Sequence, residues 1–208
     1  MIEGRHGEQA HGDLLLALDR LCQRDATRDI CPLLSCAVSL QCAHDENVHH
    51  DQTFALSIGK DGLVYHSYAL PNETPLIGCP AVTLWLSIDT PDVDFECDLY
   101  EIQPDGTSVA LWSSLGRLRY RDSLREPKLV KPGEIVRFDF NPSLFVARRL
   151  MKGSRLRLIV TAVNSISWQK NYCSGGIVAD ETAKDARTCH VQIYHDAEHA
   201  STIQLPLR

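Results

Sequence analysis

The chain has 208 residues, with 21 Lys and Arg against 27 Asp and Glu, a formal net charge of −6, and 44% hydrophobic and 23% charged residues. That length fits one domain with an appendage, and the ordinary apolar and charged fractions exclude global disorder. The mild acidic balance speaks against nucleic acid or an anionic membrane as partner, and the longest apolar run, residues 14–18, is far too short to cross a bilayer.

Residues 1–5, "MIEGR", read as the remnant of an expression tag with a factor Xa recognition sequence, and they are set apart from the fold. Nothing that follows reads as an export signal, so the expected compartment is the cytoplasm. Residues 13–24, "DLLLALDRLCQR", are expected to form a short helix, with Asp13 as N-cap and Leu14, Leu18 and Leu21 at helical spacing. Residues 25–53 show no clear period. Together, residues 1–53 read as a partly helical extension.

From residue 54 strands dominate. "GLVYHSY" is a strand entered through the Asp61-Gly62 turn. "VTLWLSID" alternates Val82, Leu84, Leu86 and Ile88 against Thr83, Trp85, Ser87 and Asp89. "DFECDLYEI" sets Phe95, Cys97 and Leu99 on one face and Tyr100 and Ile102 on the other, a pattern read as a bend or bulge. Pro104-Asp105-Gly106 turns the chain into "SVALW", making a hairpin. "GRLRYRD" alternates Arg117, Arg119 and Arg121 against Leu118 and Tyr120, as expected of a strand with arginines on its wet face. Pro132-Gly133 leads into "IVRFDF", with Val136, Phe138 and Phe140 in phase. "SRLRLIVTAV", "TCHVQIY" and "TIQLPL" then place Leu156, Leu158, Val160, Ala162, Cys189, Val191, Ile193, Ile203, Leu205 and Leu207 inward. Many short strands broken by Pro, Gly and Asp turns define an all-β, antiparallel two-sheet sandwich over residues 54–208.

The eight cysteines are read as free thiols, because a reducing compartment disfavours disulfides. Cys22, Cys31, Cys36 and Cys42 with His44, His49 and His50 invite a zinc reading. Their spacing contains no C-x-x-C and matches no closed zinc module, so no metal and no other cofactor is assigned.

Five stretches in this order and spacing carry a resemblance: "DVDFECDLYEIQPDG", "GRLRYRDS", "KPGEIVRFDF", "GSRLRLIVTAVNS" and "IYHDAEHASTIQLPL". They resemble the C-terminal, non-catalytic domain of the X-Pro dipeptidyl-peptidase and cocaine-esterase (CocE/NonD) group of serine hydrolases. The resemblance implies a jelly-roll, galactose-binding-like sandwich that packs on an α/β-hydrolase domain bearing a Ser, Asp and His triad. The nucleophile elbow of such a domain is G-x-S-x-G, and this sequence has none: "KGSRL" lacks the second glycine and "CSGG" begins with the wrong residue. Neither His6 nor His11 has the surroundings of the family's catalytic histidine. No catalytic residue is therefore carried over, and the chain is expected to be inactive alone. Its expected partner is an α/β-hydrolase domain, in cis in a parent protein or in trans. A free-standing carbohydrate-binding sandwich is the alternative.

Four features invite a site. His195-Asp196-Ala197-Glu198-His199 holds four groups able to bind metal or move a proton, but between two strands it reads as a turn whose side chains bond their own backbone. Asp89, Asp92, Asp94 and Asp98 gather carboxylates, which calcium favours, yet they also suit turn and outward strand positions. The arginine run at 117–125 is able to meet carboxylates of a partner domain. "SWQKNYCSGG", residues 167–176, carries Trp168, Asn171 and Tyr172 on a loop, where aromatic residues mark interfaces and ligand pockets. The expected working surface is Trp168, Asn171 and Tyr172, joined by Trp112 or Trp85 from outward strand phases. A patch of that kind is covered by a partner domain, by homo-oligomer formation, or by the 13–24 helix.

Overall fold

The computed structural model describes residues 62–140, 144–163 and 168–208, and the backbone of two earlier strands. Among the described residues twelve strands follow in order: β1 Leu14–Ala17, β2 Cys31–Ser35, β3 Gly62–His66, β4 Thr74–Gly78, β5 Ala81–Ile88, β6 Asp94–Ile102, β7 Ser108–Arg117, β8 Val136–Phe140, β9 Val146–Leu150, β10 Arg155–Ala162, β11 Thr188–Ile193 and β12 Thr202–Leu205. Six form one sheet around β5, four form a second in the order β3-β10-β6-β7, and β4 pairs with β9 as a separate ribbon. Every described pairing is antiparallel. This is the expected all-β sandwich.

The period-2 pattern explains which faces meet. Val82, Leu84, Leu86 and Ile88 of β5 and Phe138 and Phe140 of β8 are buried from one side; Phe95, Cys97, Leu99, Leu156, Leu158 and Val160 are buried from the other. They form one apolar cluster, and Phe95 meets Phe138 across the gap with ring centroids 6.0 Å apart. Each such side chain contributes about 1.5–3 kcal/mol by leaving water. Cys97 and Cys189 are fully buried as the strand phases required. Burial and the neighbouring Asp98 and Glu96 push the Cys97 thiol far above its usual range, so it stays protonated and acts as a small hydrophobe.

Several expectations need correction. Leu14–Ala17 is a strand on the edge of β12, with Leu14 opposite Leu205 and Ala17 opposite Thr202. A short apolar run satisfies either period, and the free edge of β12 offers it backbone partners. The rest of the expected helix, the cysteine and histidine cluster before residue 51 apart from Cys31 at the start of β2, and Asp61 of the expected turn lie outside the described residues. The bulge expected at the Leu99/Tyr100 step is present, but the extra residue lies on the partner strand: the register steps from Leu99–Trp112 to Tyr100–Ala110, leaving Leu111 of β7 as the extra residue. The arginine run does not continue as a strand. Leu118–Tyr120 is a 3-10 turn, and Arg119 lies inside rather than on a wet face.

The stretch that holds His195, Asp196, Glu198 and His199 is a turn of an unexpected kind. β11 and β12 do not face each other. Both run antiparallel to β5 along the same edge, β11 opposite Leu86–Ile88 and β12 opposite Ala81–Thr83. Residues 195–200 are thus an excursion from one interrupted strand. Its neck is closed by Ser201, whose Oγ donates to the Tyr194 carbonyl at 2.7 Å and accepts the Trp85 N–H at 3.0 Å. Within it the Asp196 carboxylate accepts the N–H groups of Glu198 at 2.9 Å and His199 at 2.8 Å. These donors and the His199 ring hold Asp196 below the usual carboxylate range.

Candidate interface at one end of the sandwich

Three connections meet at one end of the sandwich: residues 89–93 between β5 and β6, 118–135 between β7 and β8, and the described part of the β10–β11 connection, 168–187. The hairpin turn at Gly106 and the β9–β10 turn at Gly153 lie at the opposite end.

Asp92 is the hub of the first end. It is fully buried, and its carboxylate accepts three donors: the Arg119 N–H at 2.8 Å, Arg119 Nε at 2.7 Å and Asn171 Nδ2 at 2.7 Å. Burial pushes the carboxyl above its ordinary range despite those donors. Arg119, only 8% exposed, reaches on to the Gly176 carbonyl at 2.7 Å, while its Nη2 has no protein partner. Asn171 is shared, since its Nδ2 also lies 2.7 Å from Asp94 Oδ1. Asp94 in turn holds Arg117 through Nε at 2.9 Å and Nη2 at 2.9 Å, a fork-on-carboxylate pair. Asp94 is thereby held on the hairpin partner placed opposite it by the β6–β7 register.

These contacts fix the 168–176 loop. Asn171 Oδ1 accepts the Cys173 N–H at 2.9 Å, and Cys173 takes a left-handed φ of 61°, which is costly for a side chain other than Gly or Asn. Glu181 accepts the Tyr172 N–H at 2.9 Å and bonds the Ser174 hydroxyl. Gly175 sits at φ +86°, and a Cβ there would come within 2.8 Å of Pro91 and 3.5 Å of Leu129. Only glycine fits this crossing of the three connections.

The expected site residues divide. Trp168 is 53% exposed, Asn171 is buried in the network, and Tyr172 is half-buried with Lys170 Nζ 5.4 Å from its ring centre. These three are brought together. Trp112 is not with them: it is 3% exposed, faces Leu99 across the hairpin, and belongs to the core. The extra residue at Leu111 rotates β7 by one position, so Trp112 takes the inward phase rather than the outward one. Trp85 is half-buried on the outer face of the other sheet, edge-on to His199 with centroids 5.2 Å apart. Of the four aspartates, Asp92 and Asp94 converge on arginines and Asn171. Asp89 accepts the His190 N–H at 2.7 Å and faces its ring. Desolvation is the largest single influence and acts upward, but the His190 N–H and ring together hold Asp89 below the usual range. Asp98 points to the outer face of the four-stranded sheet beside Glu96, and burial plus Asp98 push Glu96 up to about 8. No group of three or more potential metal ligands converges among the described residues.

Two groups escaped the sequence reading. Arg119 falls on the hydrophilic phase of an alternating run, which reads as a wet face, yet it lies inside. Glu101, at the far end of β6, is fully buried and accepts Arg148 Nε at 2.6 Å, the Met151 N–H at 2.9 Å and the Ser154 hydroxyl at 2.8 Å. Burial alone would raise its pKa, but these three donors hold it below the carboxylate range. It ties the β4–β9 ribbon and the β9–β10 turn to the main sandwich.

The described residues form an antiparallel β-sandwich with an ion-paired, aromatic-bearing loop end. The family whose profile matches residues 25–204 is described as the X-Pro dipeptidyl-peptidase C-terminal non-catalytic domain, and the chain belongs to it. The chain is 30% identical over 147 residues to the cocaine esterase of Rhodococcus sp. (strain MB1 Bresler), covering 71% of this chain and 25% of that one. Among solved structures it is similar to an aminopeptidase from a marine sediment Thaumarchaeota archaeon, with TM-score 0.71, 19% identity, and coverage of 77% of this chain and 28% of the other. It is also similar to a selenomethionine-labelled α-amino acid ester hydrolase, with TM-score 0.70, 22% identity and the same coverages, 77% and 28%. Those two likenesses show the fold. The chain spans about a quarter of the length of these relatives. Among the described residues no helix is long and apolar enough to cross a membrane.

Proposed function

We propose that this chain is the accessory, non-catalytic domain of a CocE/NonD-type α/β-hydrolase, an X-Pro dipeptidyl-peptidase or acyl esterase, that packs on the catalytic domain and helps wall its active-site entrance. The observation that carries the reading is the family match over residues 25–204, to a domain described as non-catalytic. In this reading residues 54–208 form the jelly-roll body and residues 1–53 an extension whose strands dress the sheet edges. The domain works in the cytoplasm, and its catalytic partner supplies the serine that forms an acyl-enzyme.

The loop end suits such a role better than either sheet face. A wall needs rigid loops, and the Asp92, Asp94 and Asn171 contacts hold three connections together. The test has two arms. The pure chain should not turn over aryl esters or Xaa-Pro anilides above background, and it should not react with a fluorophosphonate serine probe. The protein of the source organism that contains or binds this chain should do both, and should lose activity when the domain is removed. A fluorophosphonate-sensitive turnover by the pure chain would refute the accessory role.

A further inference from the structure

The two strands contributed by residues before 62 lie at the two ends of the six-stranded sheet's path, β1 on β12 and β2 on β11. They end the sheet in different ways. β2 belongs to the residues that the family profile matches, 25–204. It carries Pro32, and between the pairs Cys189–Leu34 and Val191–Cys31 two of its residues stand against one of β11, a bulge. A proline and a bulge on an outermost strand are fixed terminators, because neither continues a ladder. β1 precedes the matched residues. It has four residues, Leu14–Ala17, it pairs with β12 alone among the described strands, and residues 18–30 join it to β2.

The pairing of β1 is in phase with the core. Leu14 stands opposite Leu205 and Leu16 opposite Ile203, and these two β12 residues are 1% and 0% exposed. Leu15 and Ala17 stand opposite Gln204 and Thr202, on the outer phase. Positions facing each other across a ladder share one face, so this edge suits an extended segment with aliphatic residues at alternate positions. Main-chain hydrogen bonds then supply affinity and the alternate positions supply specificity, as in any recognition by strand addition. A strand of four residues on a single partner is marginal, so β1 can leave the edge, and its covalent link returns it.

We infer that the β12 edge, Thr202–Leu205, is a strand-acceptor site for an extended aliphatic peptide segment of another molecule, and that β1 holds this site in cis as an exchangeable occupant. β1 displays the chemistry of the ligand: leucine at both core-phase positions and no charge in the paired stretch. The terminator on β11 confines the site to β12. Such a site is separate from the accessory role and does not depend on it.

The probe is a fluorescein-labelled peptide of residues 12–19, GDLLLALD, and two full-length variants set the state of the edge. Leu14→Asp with Leu16→Asp vacates it by placing charges at the core-phase positions. Leu15→Cys with Gln204→Cys, opposite each other in the register, closes it through an intrachain disulfide. Fluorescence anisotropy should show the peptide binding the vacated variant. Wild type should bind it at least about threefold more weakly, since tethered β1 competes at a high effective concentration. The oxidised, locked variant should not bind, and reduction should restore binding. Peptide should slow hydrogen exchange at residues 202–205 of the vacated variant, and a control peptide with Asp at both core-phase positions should not. Equal binding to the locked and vacated forms, or none to a folded vacated variant, would overturn the site. A vacated variant that light scattering finds dimeric, with residues 202–205 protected, would make a second copy the occupant and overturn the peptide assignment. A lock disulfide that forms only between chains would overturn the occupancy in cis. Leu16→Gly is the milder vacating variant; if circular dichroism shows that neither it nor the acidic variant folds, β1 is part of the core and the exchange is refuted.

Discussion

Replacing Asp92 with alanine removes the acceptor of three hydrogen bonds from a fully buried position and leaves the Arg119 guanidinium, 8% exposed, with the Gly176 carbonyl as its remaining partner. The expected loss has two parts. Hydrogen bonds to a charged group contribute about 1.5–3 kcal/mol each, but their net worth is limited because burial of the pair costs nearly as much. The raised pKa of Asp92 is the sign of that cost. The larger part is the orphaned buried charge, so breaking the pair should cost about 3–5 kcal/mol. For a chain of this size that is a fall in Tm of roughly 6–20 °C, at about 2–4 °C per kcal/mol.

Arg119→Met should cost less, because Asp92 can take up a proton. The double variant Asp92→Ala with Arg119→Met should cost at least about 2 kcal/mol less than the sum of the two, since the orphaned charge is then gone. The assay is equilibrium urea unfolding at neutral pH, followed by tryptophan fluorescence and by far-UV circular dichroism. Asp122→Ala is the reference. Its pair with Lys128 is exposed on both sides, so it should cost no more than about 1 kcal/mol. If Asp92→Ala costs no more than Asp122→Ala, or if the two buried substitutions simply add, then the Asp92 contact does not hold the three connections together.

On the acid side, Glu101 has a folded pKa below the model-compound 4.5. The native state therefore releases its proton first, and the stability it gives is present above about pH 4.5 and lost as pH falls through the folded value; Glu101→Gln should flatten the acid limb of a Tm–pH curve. Glu96 has the opposite sign. Its pKa is raised from 4.5 to about 8, so stability should fall as pH rises between about 4.5 and 8, and Glu96→Gln should remove that fall and raise the Tm at pH 8; an unchanged slope would mean that Glu96 does not titrate in this window. Gly175→Ala forces a side chain into a left-handed backbone against Pro91, so it should lower the Tm and speed hydrogen exchange at Tyr172–Cys173, whereas Gly106→Ala, at an open turn with nothing within 4 Å, should lower the Tm less and leave that exchange unchanged.

The strand faces were legible because a half-buried strand writes its burial into alternate positions. Every inward residue expected on β5, β8 and β10 lies in the core or packs against it. What failed to show was anything decided by one extra residue or one buried charge. Leu111 shifts the register of β7 and moves Trp112 from the outer face to the core, a change that hydropathy alone does not mark. The Leu14–Ala17 run satisfies two periods, and only the free edge of β12 selects between them. Arg119 is hydrophilic by type and reads as an outside residue; a buried carboxylate on the neighbouring connection holds it inside.

The ion-pair network was nevertheless within reach of hairpin arithmetic. The β6–β7 turn is centred near Asp105, so position 94 should fall opposite 116, or opposite 117 once one residue is extra. Asp94 and Arg117 are partners in the register. One step beyond them, where the strands end, Asp92 and Arg119 repeat the pairing in the interior. An acid-x-acid run entering a hairpin and a base-x-base run leaving it thus form a ladder of opposite charges, of which the outer pair is half-buried and the inner one is sealed. Cross-strand opposite-charge pairs stabilise a sheet modestly when exposed, but a sealed pair chiefly punishes alternatives. Any register that moved Asp92 away from Arg119 would bury two unpaired charges. The same contact that fixes the hairpin register also captures Asn171. Register choice and the position of the Trp168 loop are therefore one decision, and a variant that slips the register should lose the order of that loop together with its stability.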